Sequence, residues 1–331
     1  MTVRILILLL VLSSGSGHAG SPDWEREAVA PWPVRDSQAE YVFRNQLWIL
    51  GGWFRSDEAP PRDCWSSPDG RNWSLVADPV PILHTDLAMN TVFRERMWHL
   101  GGWYNGRLPG HSASRQVWAS ADGASWDQIT GEATWSARLA GVALVFQDRL
   151  WVLGGTENYY FGTAASLRND VWSSGDGKEW RLETEKAPWS PRAYHQAVVL
   201  NGRIYLFGGG NYVPDYQARN DVWSSADGRQ WRLETDSAPW AARLWFAAEV
   251  YRGRIWVLGG WAKDTDNFGD VWHSADGKTW EKLETTNCWK ARHEHSAFVL
   301  NDKLWIAGGH ARPLSSEVWS LRLPEDFGKQ P

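Results

Sequence analysis

The sequence predicts an all-β fold: a six-bladed β-propeller with four antiparallel strands per blade and a ring closed by the N-terminal strand. Three observations carry this. Gly-Gly recurs at 51-52, 101-102, 154-155, 208-209, 259-260 and 308-309, a period of about 50 residues that suits one four-stranded blade. Asp-Gly recurs at 69-70, 122-123, 176-177, 227-228 and 276-277. Trp is abundant, at 26 of 331 residues, and falls at fixed places in the repeat.

Residues 220–260 show the order of elements. Strand c carries Val222-Trp223, residue types that suit a pleated, half-buried surface. Asp227-Gly228 then marks a two-residue hairpin, because Gly takes φ > 0 without penalty. Strand d opens at Trp231. A loop containing Pro239-Trp240 leads to Arg243, which heads strand a. After the turn at Arg252-Gly253, strand b covers residues 255–258 and ends on Gly259-Gly260. Trp65, Trp118, Trp172, Trp223, Trp272 and Trp319 share one strand-c position, and Trp73, Trp126, Trp180, Trp231 and Trp280 open strand d. These read as packing. Each large aromatic buries about 150–250 Å², on the order of 4–6 kcal/mol at ~25 cal/mol per Å².

The two ends complete one blade. The last repeat stops at Val318-Trp319-Ser320-Leu321 without a strand d. Trp24-Glu25-Arg26-Glu27, ahead of Pro31-Trp32 and Arg35, mirrors Trp231-Arg232-Leu233-Glu234 ahead of Pro239-Trp240 and Arg243. Residues 23–28 are therefore expected as the outer strand of the last blade, which removes an exposed junction. Residues 324–331 read as a tail.

The repeat resembles the Kelch family in its Gly-Gly after strand b, an aromatic on strand c, Trp opening strand d and Arg before strand a. His195 and His295 sit three residues after that Arg, where Kelch repeats often carry His. The resemblance covers roughly residues 24–323 and implies the propeller fold. Strand c has Trp where Kelch repeats often have Tyr. The run Ser-x-Asp-Gly-x-x-Trp is similar to the Asp-box of sialidases but one residue shorter, and reads as a hairpin turn of similar chemistry.

Residues 1–19 read as a signal peptide: Arg4, eight apolar residues at 5–12, and small residues ending at Ala19. Eight apolar residues are too few for a bilayer span, which needs about 20. No later segment is apolar enough, so residues 20–331 are expected as one exported propeller, periplasmic or extracellular, and a monomer. A net charge of -5 with both signs dispersed argues against a nucleic-acid partner. Export permits a disulfide between Cys64 and Cys288. The alternative is two buried thiols, since Cys64 stands where other repeats have Val.

One face stands out. The a–b and c–d turns are short and uniform, whereas the b–c loops differ in every repeat, at about 53–63, 103–116, 156–169, 210–220, 261–269 and 310–316. Long loops rich in aromatics (Trp53, Phe54, Trp103, Tyr104, Tyr159, Tyr160, Tyr212, Trp261) favour an ordered binding surface. Sixteen residues before each Gly-Gly stand Arg35, Thr85, Arg138, Arg192, Arg243 and Arg292. Guanidinium groups at the channel mouth suit a carboxylate or phosphate, or they bond loop carbonyls in every blade alike.

Residues that break the repeat are further candidates. Ile82-Leu83-His84-Thr85-Asp86 replaces the Pro-Trp-x-x-Arg pattern. Glu40 and Glu249 lie on innermost strands, and His99 lies mid-strand b. His293, His295 and His310 are weak metal candidates. Neither cysteine sits in a context matching the Cys–Tyr cofactor of galactose oxidase, a copper enzyme of Kelch fold, and no cofactor is expected. The first functional reading is a module binding a carbohydrate, including an acidic one, or a protein on the b–c and d–a loop face. The second rests on resemblance to exported sialic acid epimerases of the family. It implies an acid/base pair drawn from Glu249 with His84 or His195.

Overall fold

A computed structural model of the chain describes residues 22–328, apart from 54 and 56. The expected leader at 1–19 and the loop aromatic Phe54 lie outside the described residues. Six four-stranded antiparallel sheets form the blades. Strands a are Ala39–Phe43, Met89–Phe93, Val142–Phe146, Gln196–Leu200, Ala247–Tyr251 and Ser296–Leu300. Each lies beside the strand a of the blades before and after it, so the six close into a ring around a central channel. Strands b are Gln46–Leu50, Arg96–Leu100, Arg149–Thr156, Arg203–Phe207, Arg254–Leu258 and Lys303–Ala307. Strands c are Cys64–Ser67, Val117–Ser120, Leu167–Ser174, Val222–Ser225, Val271–Ser274 and Glu317–Leu321. Strands d are Ser74–Ala77, Asp127–Thr130, Trp180–Thr184, Trp231–Thr235, Glu281–Lys282 and, from the N-terminus, Trp24–Val29.

The c–d hairpin is built by its own side chains. Ser225 Oγ accepts from the Gly228 N–H at 2.8 Å, and the Asp227 carboxylate accepts from the Arg229 and Gln230 N–H groups at 2.9 and 2.8 Å. Gly228 has φ of 71°, as the turn requires. It is also a packing site: a Cβ there would approach Trp151 of the preceding blade to 2.1 Å. Gly70 meets Trp305, Gly123 meets Trp48, Gly177 meets Trp98 and Gly277 meets Tyr205 in the same way. A strand-b aromatic therefore docks flat on the next blade's hairpin, a contact that turn chemistry alone does not reveal.

The closing strand uses the chemistry of the internal blades. Trp24 pairs with Leu321, Arg26 with Trp319 and Val29 with Glu317. Glu27 accepts from Ser320 Oγ at 2.6 Å, from Lys303 Nζ at 2.6 Å and from Arg71 of blade 1 at 2.5 Å. Glu183 does the same with Ser173 and Arg229, and Glu234 with Ser224 and Lys278. These carboxylates bridge one blade to the next.

Two details differ from expectation or decide an open point. Pro324 and the residues to 328 fold back, and Phe327 packs 5.9 Å from Trp256 and 5.3 Å from His273. Cys64 and Cys288 are free thiols, with burial pushing them up to about 12 and about 11. Among the described residues, no helix is long and apolar enough to cross a membrane.

Removing residues 22–30 strips blade 6 of its outer strand and of the Glu27 bridge. The expected outcome is a fall of more than about 10 °C in the unfolding midpoint, or loss of cooperative unfolding. An unchanged midpoint would show that the ring closes without this strand.

Candidate functional site

The arginines heading strand a are fully buried. Arg35 donates to the Gly51 carbonyl at 2.9 Å, to the Pro33 carbonyl at 3.0 Å and, through both fork nitrogens, to Asp63 at 2.6 and 2.7 Å. Asp63 also accepts from the Trp65 indole N–H at 2.8 Å. Arg138 with Asp170, Arg192 with Asp221 and Arg243 with Asp270 repeat this arrangement, and Arg292 reaches Glu317 through a single nitrogen at 2.9 Å. Burial pushes Asp63 up, but the Arg35 bonds and charge outweigh it and hold the carboxyl below its usual range. The forks are therefore spent on their own blades. The expectation of open guanidinium groups for an anionic ligand is corrected: all five arginines are structural ties, bonding loop carbonyls and a carboxylate. Blade 2 changes both partners together. Thr85 stands for Arg and bonds the Pro61 carbonyl, and Gln116 stands for the acid beneath Trp118. Neither charge is left buried alone.

Two residues beyond each tie comes a left-handed residue: Ser37, Leu87, Ala140, Tyr194, Trp245 and Glu294, with φ between 49° and 58°. Five of their N–H groups reach the carbonyl of the same residue in the preceding blade. Ser37 bonds Glu294 at 2.9 Å, Leu87 bonds Ser37 at 3.2 Å, Ala140 bonds Leu87 at 2.9 Å, Tyr194 bonds Ala140 at 2.8 Å and Glu294 bonds Trp245 at 2.8 Å. These bonds knit the b–c end of the channel into a narrow ring.

An aromatic plug sits on this ring. Tyr159, from the b–c loop of blade 3, extends to blade 6 on the opposite side, where its hydroxyl donates to Glu294 Oε1 at 3.4 Å. It stacks on Tyr160 at 3.9 Å, and Trp245 contacts Tyr194 at 5.0 Å, Tyr212 at 4.8 Å and Trp261 at 5.3 Å. Beneath the plug lie Asp36, Asp86 and Glu294. Ser37 Oγ is 3.1 Å from Asp36, while Asp36 Oδ2 and both Asp86 oxygens have no hydrogen-bond partner among the described residues. Burial raises Asp86 to about 7. Burial, and then the neighbouring carboxyls, raise Asp36 and Glu294 well above their usual range.

Below the ring runs a cavity of about 530 Å³ along the channel. Glu40, Glu249 and Glu294 line it, with Gln38, Asn90, Gln196, His195 and His295 and, among the described residues, without any Lys or Arg. Glu40 and Glu249 flank strand a of blade 6, where Ser296 Oγ is 3.5 Å from Glu40. Burial raises both to about 8, helped at Glu40 by the Glu249 charge.

The other candidates fall in separate places. His195 lines the channel but wedges between Trp189 and Gly154, and burial holds it neutral at about 3. His84 lies on the loop side, 3.0 Å from Ser112 Oγ. His99 is buried and bonds the His84 carbonyl. Glu249 thus raises a second carboxyl, Glu40, and no hydrogen bond joins it to either expected histidine among the described residues. His293 and His310 contact each other at 4.9 Å, but His295 packs on Trp289 and Gly259. The three histidines do not converge, and no three-residue metal-binding group occurs among the described residues. His310 Nδ1 approaches Asp36 at 3.7 Å. Trp53 bridges to Asp36 by backbone, Trp103 is 1% exposed and Trp261 is half-buried. Trp103 and Trp261 build the plug instead of an open platform. Among the described residues the exposed large aromatic is Phe161, 54% accessible, which the repeat pattern does not single out.

Two substitutions test these assignments. Asp270→Ala leaves Arg243 buried without its carboxylate, and a loss of about 3–5 kcal/mol is expected in denaturant unfolding. A loss under 1 kcal/mol would show the tie to be dispensable. Asp86 has a folded pKa above its unfolded one, so the folded protein holds more protons between pH about 4 and about 7. Its contribution to stability falls as pH rises through that window. Asp86→Asn is therefore expected to match the wild type near pH 4 and to unfold several degrees higher at pH 8. An equal difference at both pH values would mean that Asp86 does not titrate there.

Comparison with known proteins agrees with this architecture. The KLHDC2/KLHL20/DRC7 Kelch-repeats domain matches residues 84–309, well over half of the chain. The flagellar outer arm dynein alpha chain of Chlamydomonas reinhardtii is 36% identical over 107 residues, which is 30% of this chain and 2% of that far larger protein. Six Gly-Gly-ended blades and a domain match spanning most of the ring place the protein in the Kelch-repeat propeller family.

Proposed function

We propose that the protein is an exported binding module that docks a protein partner on its b–c loop face. Kelch propellers serve generally as protein-binding scaffolds. The observation that carries the proposal is an aromatic stack rising out of the core. Trp103, buried, stacks on His111 at 5.3 Å, and His111 stacks on the exposed Phe161 at 4.4 Å. Arg107 lies over the neighbouring Tyr160 ring at 4.4 Å. A large aromatic held rigid yet left in water loses little entropy on docking, and aromatic and Arg side chains dominate interface energetics. The leader expected at 1–19 supports action in the periplasm or outside the cell. The acidic-sugar and sugar-acid epimerase readings have less support. The arginines that would hold an anion are paired internally, and the channel is lined by carboxyls.

Immobilised mature protein, its Phe161→Ser variant and a Gln230→Ala variant on the opposite face can be compared for capture from the exported fraction, with cross-linking to locate contacts. The expected result is a partner held by the wild type and Gln230→Ala and bound at least about 30-fold more weakly by Phe161→Ser, at equal thermal stability. Equal retention by Phe161→Ser would remove this face from consideration.

A further inference from the structure

We propose that the central channel is a second binding site, entered from the a–b turn face, that takes a small organic cation whose ammonium group meets Glu40 and Glu249. This does not rest on the loop-face reading. The channel has one closed and one open end. Tyr159, Tyr194 and Trp245, each under one-tenth exposed, seal it beneath the b–c loops. At the a–b end the penultimate strand-a position is Val42, Val92, Val145, Val199, Val250 and Val299, and every one is partly exposed. Six small apolar side chains make a mouth, and the polar groups lie behind it.

The chemistry inside selects the charge of the guest. Three carboxyls face the cavity and, among the described residues, no Lys or Arg does. Three buried polar side chains on its wall lack partners among the described residues: Gln38 at Oε1, 4% exposed, and His195 and His295 at both ring nitrogens, 2% and 5% exposed. Neutral imidazole and amide oxygen both accept from N–H donors. At the closed end Tyr194 and Trp245 line the cavity, and aromatic rings attract cations. The volume of about 530 Å³ falls within the range of small-molecule sites.

The same burial predicts how binding varies with pH. Glu40 and Glu249, both raised to about 8, are largely protonated in the empty channel at pH 7. A bound cation favours their ionised form, so binding releases protons and strengthens as pH rises from 6 to 8.5. The other titratable groups facing the channel do not reverse this sign. Burial holds His195 and His295 neutral, and Glu294, Tyr194 and Tyr41 are raised well above their usual range.

Isothermal titration of the mature protein with butylammonium chloride and with tetramethylammonium chloride tests the proposal, against sodium chloride at matched ionic strength. The expected result is saturable one-site binding of either ion, tighter at pH 8.5 than at pH 6, with a heat that depends on the buffer through proton release. Glu40→Gln and Glu249→Gln, each near-isosteric, are expected to weaken it about tenfold or more. Val250→Trp should block entry, and Phe161→Ser should leave it unchanged. No saturable binding of either ion at pH 8.5 would overturn the proposal. So would equal affinity in the folded Glu40→Gln, Glu249→Gln double variant, whatever the behaviour of Val250→Trp.

Discussion

The buried Arg–carboxylate tie at the head of strand a is the interaction on which the rest of the structure hangs. One guanidinium joins the end of strand b through the Gly-Gly carbonyl, the start of strand c through an Asp or Glu, and the d–a loop through a further carbonyl. Two peptide units later the chain turns left-handed and bonds the neighbouring blade. The channel ring thus inherits its position from the tie. Buried ion pairs are weak evidence for net stability, and blade 2 shows why the pair is better read as a geometric device. Thr85 and Gln116 supply a neutral version, and the blade keeps its place. What no blade shows is one partner without the other.

That arrangement decides the electrostatics of the channel. Five arginines stand near its wall, yet each is neutralised within its own blade, so the surplus inside is carboxyl. Glu40 and Glu249 meet no basic partner there among the described residues, Glu294 Oε2 lies 3.4 Å from His293 Nε2, and Asp36 and Asp86 lie close above. Burial raises all of these acids, and neighbouring carboxyls add to it at Asp36, Glu40 and Glu294. An arginine ring that reads as cationic in one dimension becomes, once paired, the wall of an acidic channel.

The parts legible in the sequence are those that repeat. Gly-Gly, Asp-Gly and the two Trp positions carry the blade, and the likeness of Trp24-Glu25-Arg26-Glu27 to Trp231-Arg232-Leu233-Glu234 carries ring closure. Repetition also hid part of the answer. The carboxylate partner of each arginine stands 25 to 32 residues away, just before the strand-c Trp. Spacing alone does not say that the two meet. Glu40 and Glu249 occupy different positions in their repeats, so only the curvature of the ring shows that both flank strand a of blade 6. Tyr159 was legible as a loop aromatic, but its reach from blade 3 to blade 6 depends on the path of a non-repeating loop. Phe161 lacked any signal, because exposure at a loop tip follows from how its neighbours stack.

Glu294 joins the two ends of this design. Its backbone belongs to the left-handed ring, its carboxyl receives the Tyr159 hydroxyl of the plug, and the residue also lines the closed end of the channel. Its repeat-equivalents are Ser37, Leu87, Ala140, Tyr194 and Trp245, so backbone geometry does not ask for an acid there. An acid at that place adds a third carboxyl to Asp36 and Asp86, which is a cost to packing that a neutral residue would avoid. Burial and then the neighbouring carboxyls raise it, and its second oxygen lies 3.4 Å from His293 Nε2. It is the one carboxyl where the charge state of the channel and the seating of the plug are set by the same two oxygens.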